Sequence, residues 1–158
     1  MSSARLIRST GFVSAVLACA LFLSAYATAD ESPPPKGQTI VVAVGTFRNT
    51  DGAFVCRLFS TPAGFPEGTA GTVERRLPVR GGTGTCVFDN VSPGLHAISV
   101  MHDENGNRKL DKNFIGVPTE GYGASNNHTH AMSAPTWDES KFTVEPGKNM
   151  GISIALRY

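Results

Sequence analysis

The chain has 158 residues, 41% hydrophobic and 17% charged, with fourteen Lys and Arg against thirteen Asp and Glu. A balance this even, with no basic cluster, excludes nucleic acid as an expected partner, because such binding needs grouped Lys and Arg to displace phosphate counterions.

The N-terminus carries the pattern of a cleaved export signal. Arg5 and Arg8 form a positive opening, Gly11 to Ser24 is almost wholly apolar yet short for a membrane span, and Ala27-Thr28-Ala29 places small residues before Asp30. Residues 1–29 are therefore read as a signal peptide, and the mature chain is expected in the periplasm or outside the cell. Cys19 does not fit a lipoprotein cysteine, since Ala20-Leu21-Phe22-Leu23 continues the apolar run past it. Loss of Arg5 and Arg8 leaves twelve basic residues against thirteen acidic ones. No later apolar run is long enough to span a bilayer, so the mature chain is not expected to be integral to the membrane. Residues 30–37 contain Pro33-Pro34-Pro35 and read as a stiff, extended linker. Residues 38–158 are expected to form a single domain.

From Thr39 the hydrophobic period is two. Thr39 to Val44 is β-branched and bounded by Gly45, which predicts a strand. Asn49-Thr50-Asp51-Gly52 reads as a turn, and its Asp-Gly pair predicts a hairpin into the next strand, Ala53 to Ser60. Pro62 to Pro66 breaks the chain; Thr72 to Val79 and Thr83 to Asp89 are the next two strands. Cys56 shares a face with Phe54 and Leu58, and Cys86 with Phe88. In an oxidising compartment two such cysteines are read as a disulfide, and the absence of a Cys-x-x-Cys motif sets aside a two-thiol redox or metal site. Pro93-Gly94 turns into a strand carrying His96, Ile98 and Val100 on one face, where His96 reads as a hydrogen-bonded core residue. Lys141 to Glu145 and Met150 to Tyr158 finish the chain, the latter with the alternation of a half-buried antiparallel strand. About seven short strands and no helical stripe argue an all-β, immunoglobulin-like antiparallel β-sandwich.

The exception is Asp103 to Asp138, long, rich in Gly and Asn, and without a clear strand. Phe114, Ile115, Val117, Tyr122 and Trp137 are read as anchors that pack it over one end of the sandwich as an ordered excursion. It opens on His102-Asp103-Glu104-Asn105-Gly106-Asn107-Arg108-Lys109-Leu110-Asp111, with side-chain oxygens at alternate positions. Counting from Asp103, Asn105, Asn107, the Lys109 carbonyl and Asp111 follow the start of a calcium loop, although Phe114 stands where the bidentate Glu would be; Glu120 is the candidate to fold back and complete the shell. Calcium is thus the candidate cofactor. The competing reading is a loop held by Asn and Asp side chains bonding their own backbone.

Several segments resemble the secreted bacterial family catalogued as domain of unknown function 2141. They are Gly64-Phe65-Pro66, Phe88-x-Asn90-Val91-x-Pro93-Gly94, the run from His102 to Asn107, and Leu110-Asp111-x-Asn113-Phe114-x-Gly116-x-Pro118-x-Glu120-Gly121-Tyr122-Gly123 with Ser125-Asn126 and Tyr158. The resemblance implies an exported prealbumin-like β-sandwich and little about activity. One departure stands out: Arg108 replaces a Gly of the family pattern, so it is expected to sit in a strained left-handed turn or to alter the loop path.

The leading functional expectation is a non-catalytic exported protein that binds a ligand, or a protein or carbohydrate partner, at the long loop, with calcium as the candidate ion that orders it. Tyr122 and Trp137 are candidate ligand-binding aromatics, or else anchors to the core. The alternative is a periplasmic copper or zinc protein using His102, His128, His130 and Met132. A hydrolase is third: Ser125 and Ser133 have no activating motif, and Glu104, Asp111 and Glu120 form only a possible carboxylate pair.

Overall fold

The computed structural model describes residues 37–128, 130 and 133–158. The segments expected as signal peptide and linker, up to residue 36, and the candidate ligand Met132 lie outside the described residues. Among the described residues, eight strands form a β-sandwich: β1 Gln38–Gly45, β2 Ala53–Phe59, β3 Val73–Pro78, β4 Thr83–Val91, β5 Gly94–Asp103, β6 Gly121–Ala124, β7 Phe142–Val144 and β8 Met150–Ala155. A single-turn helix, α1, spans Trp137–Ser140, and a 3-10 turn spans Ser125–Asn127. One sheet has the order β4-β1-β8; the other has β3-β2-β5-β6, with β7 paired to the first residues of β5. No helix among the described residues is long and apolar enough to cross a membrane.

The core lies where alternation in the two sheets turns apolar side chains toward each other. Ile40, Val42 and Val44 of β1, with Phe88 and Ile154 on its neighbours, face Phe54, Leu58, Ile98 and Val100 of the second sheet. Cys56 and Cys86 meet inside this layer as a disulfide between β2 and β4, so the bond ties one sheet to the other. His96 is buried as expected, its Nε2 2.8 Å from the Ser92 carbonyl oxygen.

Three local readings need correction. Asp51-Gly52 does not join a hairpin, because β1 and β2 belong to different sheets. Residues 46–52 cross between the layers, and Phe47 packs on Phe54 and His102 at ring separations of 5.2 and 5.1 Å. Gly52 is demanded there: at φ 60 its backbone lies so close to β5 that a Cβ would stand 2.0 Å from the Asp103 carbonyl oxygen. Second, β8 runs parallel to β1, pairing Ile40 with Met150 and Ile154 with Val44. Alternation reports which face is buried and is silent on direction. Third, the long excursion does contain a strand. β6 was hidden because Gly121 and Gly123 have low strand propensity. Glycine is nonetheless required there, since Cβ atoms would lie 2.6 Å from the Tyr158 ring and 2.8 Å from an Ile154 methyl.

Candidate functional site

Strand β5 positions the site, because both of its faces are covered. Its inward residues enter the core. Its outward residues Ser99, Met101 and Asp103 line up with Arg57 and Val55 on β2 and Arg76 on β3, and the excursion folds over them. This explains why every residue from His96 to Asp103 is buried.

Asp103 ends the outward row, fully buried. Its Oδ2 accepts a hydrogen bond from Arg76 at 2.6 Å and another from the Arg108 amide at 2.9 Å. Burial pushes the Asp103 carboxyl up; the Arg76 guanidinium and the Arg108 amide outweigh it, and the net shift is downward. Beyond it the loop closes on itself. Asn105 Oδ1 accepts from the Asn107 amide at 3.0 Å, and Asn107 Oδ1 from the Lys109 amide at 2.8 Å. Both asparagine side-chain amides donate to the Asp111 carboxylate, at 2.5 Å from Asn105 and 2.9 Å from Asn107. Glu120 folds back, and its two oxygens accept the amides of Glu104 at 2.8 Å and Asp111 at 3.1 Å. Asp103, Asn105, Asn107, Asp111 and Glu120 are therefore brought into one hydrogen-bonded unit, with Arg108 at its tight bend in the left-handed conformation, φ 67. The Lys109 amide bonds within this unit, while its side chain has no ion pair among the described residues. No group of three or more His, Cys, Asp or Glu among the described residues is placed to hold a metal ion.

The histidines are not gathered. His102 is fully buried at the end of the core, its Nδ1 2.8 Å from the Tyr158 hydroxyl and its Nε2 2.8 Å from the Asp51 carbonyl oxygen. Both ring nitrogens are thereby engaged, the second as donor because a carbonyl can only accept. Arg48 stacks 4.6 Å over the Tyr158 ring and pairs with Glu104, closing this end of the sandwich. His128 is exposed, and His130 Nε2 lies 2.8 Å from Glu139. The Glu139 carboxyl is held down at about 2, first by Thr136, whose hydroxyl and amide both donate to it, and then by His130.

The two candidate aromatics part company. Trp137 is half-buried edge-on to Phe65, which packs in the same way on Phe59, so it anchors the excursion. Tyr122 lines a cavity of about 440 Å³ between the outward face of β5 and the excursion. Met101, Leu110, Val117 and Pro118 supply apolar lining, and the charged lining comprises Asp111, the pairs of Lys112 with Glu67 and Arg57 with Glu74, and the exposed Arg108 and Lys109, which have no ion pair among the described residues. Two expected anchors fail: Phe114 is 99% exposed and Ile115 62%.

Sequence reasoning missed Arg76 and Met101, because what they touch is set by strand register across β2. It also missed Ser60 Oγ, 3.3 Å from His96 Nδ1; neither residue lines the cavity. Ser125 is buried and structural, receiving the Ile98 amide and bonding the Ser140 carbonyl oxygen.

Neither the curated proteins nor the solved structures contain a match to this chain. A family model described as an uncharacterized protein conserved in bacteria, DUF2141, matches residues 42–152. That span takes in the sandwich from β1 into β8 together with the whole hydrogen-bonded loop and the cavity, and the chain belongs to this family.

Proposed function

We propose that this protein is an exported, non-catalytic binding protein whose cavity takes a small ligand with an apolar body and an anionic group. The observation that carries the reading is the cavity itself. Its volume of about 440 Å³ suits a small organic molecule, its apolar lining includes Met101, Leu110, Val117 and Tyr122, and among its charged lining residues Arg108 and Lys109, with no ion pair among the described residues, outnumber the one unpaired carboxylate, Asp111. An anionic aromatic dye such as anilinonaphthalene sulfonate is a suitable probe. Saturable binding is expected, weakened about tenfold when Arg108→Ala and Lys109→Ala are combined, since each cation contributes a charge-assisted contact. Equal affinity in the double variant would overturn the reading.

Calcium is the second reading, favoured by one observation: Arg108 adopts the left-handed bend that a cation-wrapping loop needs at that position. An entering ion would compete with Arg76 for Asp103 and with two asparagine amides for Asp111. Affinity should then lie in the weak range of extracellular modules, about 10⁻⁴–10⁻³ M. Melting curves with millimolar calcium and with chelator test this, and identical curves would exclude it.

A further inference from the structure

Of the charged residues that line the cavity, Arg57 alone is buried, at 7% exposure. Strand register puts it there: Glu74 on β3, Arg57 on β2 and Ser99 on β5 stand side by side on the outward face of their sheet. A guanidinium carries five N–H groups and can accept nothing. Glu74 takes the one at Nε, at 2.8 Å, which orients the group and balances its charge. One terminal nitrogen finds only the Met101 thioether sulfur, at 4.0 Å, a weak acceptor at long range. The other has no bond among the described residues. Ser99, next in the row, gives its hydroxyl proton to the Pro66 carbonyl oxygen at 2.7 Å. Among the described residues Arg57 has no nitrogen that is both sealed and without a partner, so what it does not bond it leaves accessible, and the space it lines is the cavity.

Donors on a buried side chain cost free energy unless an acceptor reaches them. The described residues supply none to these, so the acceptor comes from whatever fills the cavity. Glu74 decides its charge. Because that ion pair already balances the guanidinium, a second carboxylate would bring an uncompensated charge to a buried position, at high desolvation cost. A neutral oxygen brings none, and the free N–H groups of a planar, pre-oriented fork suit the lone pairs of a carbonyl. Beside the row, Met101 and Tyr122 pair across β5 and β6 and supply apolar wall for the carbon body attached to such an oxygen. We infer that Arg57 anchors the ligand, and that the ligand carries, besides its anionic group, a neutral carbonyl (a ketone, ester or amide) bonded by the terminal N–H groups of Arg57. The inference rests on the cavity being a ligand site and names the second polar group of that ligand.

The test titrates the full chain with two probes that displace bound anilinonaphthalene sulfonate: decanesulfonate, and its analogue with a methyl ketone at the far end of the same flexible chain. The readout is the ratio of the two affinities, ketone over alkane, because the ketone is also the better hydrated in water. That ratio should be about tenfold higher in the parent than in Arg57→Met, which keeps the length of the side chain and removes its donors. In Tyr122→Phe, which keeps the ring of the wall and removes its hydroxyl, the ratio should stay at the parent value. A second measurement on the parent stands even where Arg57→Met does not fold. The infrared stretch of an isotope-labelled ketone, once bound, should lie at or below its value in water, although the body of the probe is buried. Equal ratios in the parent and Arg57→Met would mean that water serves Arg57 with either probe bound, and would overturn the inference while leaving the cavity a ligand site. A stretch at its hydrocarbon value, or a ratio that falls in Tyr122→Phe instead, would overturn it as well. If neither the dye nor either probe binds, the cavity reading fails and the inference with it.

Discussion

Arg76 and Asp103 form the pair on which the loop is hung. Asp103 is wholly buried, so removing its partner leaves a carboxylate in low dielectric with only amides to hold it. Arg76→Met should cost about 2–4 kcal/mol at neutral pH, toward the lower end for a buried pair because Arg76 itself is partly exposed. The sign with pH follows from the folded carboxyl lying below its ordinary value of 3.8. The pair stabilises the fold above about pH 4, and that contribution is lost as pH falls through the folded value. Urea unfolding of both proteins at pH 7 and near pH 3 should therefore show the difference shrinking in acid. Arg108 has a separate role. Held at φ 67, it carries backbone strain on the order of 1 kcal/mol, which Arg108→Gly relieves while raising the entropy of the unfolded chain by a similar amount. Stability without metal should change by less than about 0.5 kcal/mol. Calcium affinity should rise, since the variant also removes a positive charge near Asp103 and Asp111. A calorimetric titration showing weaker calcium binding in the variant would contradict the loop as a strained cation site.

Among the elements, β6 shows how tertiary packing overrides local preference. Gly121-Tyr122-Gly123-Ala124 has little intrinsic reason to be a strand, yet it pairs with β5 from Ser99 to His102. The glycines leave room for the C-terminal segment, whose Arg157 exchanges two backbone hydrogen bonds of 2.9 Å with Tyr122. Gly123→Ala is a sharp test. A Cβ there would lie 2.8 Å from an Ile154 methyl and 2.9 Å from the Ala155 carbonyl oxygen, and backbone cannot step aside as a flexible side chain would. A loss of about 1–3 kcal/mol in chemical denaturation is expected. By contrast β1, β2 and β4 are legible from local pattern alone, being β-branched or aromatic runs bounded by glycine and turn residues. The bounds in the structure differ from the expected ones by a residue or two, as strand ends usually do.

At the scale of the whole molecule, the disulfide joins two sheets that share no hydrogen-bond ladder. Its loop of 30 residues contributes roughly 3–4 kcal/mol in the chain-entropy picture. Replacing both cysteines by alanine should lower stability by about that amount. The fold itself should survive, because Phe54, Phe88, Ile40 and Ile98 surround the bridge in the core. Near-native circular dichroism with a lower denaturation midpoint is the expected result. Peptide mapping without reductant should show the Cys56 and Cys86 peptides linked, and two freely alkylated thiols would contradict the bridge.

The sequence by itself determined the fold class, the buried faces of most strands, the cysteine pairing and the family. The first three rest on short-range alternation or on residue type, and the family on the resemblance of its motif runs, all of which a linear reading can see. It also located the oxygen-rich loop after Asp103 and the left-handed bend at Arg108. Tertiary structure decided how the strands divide between two sheets, that β8 runs parallel to β1, and that β6 exists. It decided as well that Arg76 meets Asp103, that His102 is engaged by Tyr158 and Asp51, and that Phe114 points to solvent while Trp137 packs on Phe65. All of these depend on contacts between residues far apart in the chain, and period two is the same whichever neighbour a strand finds.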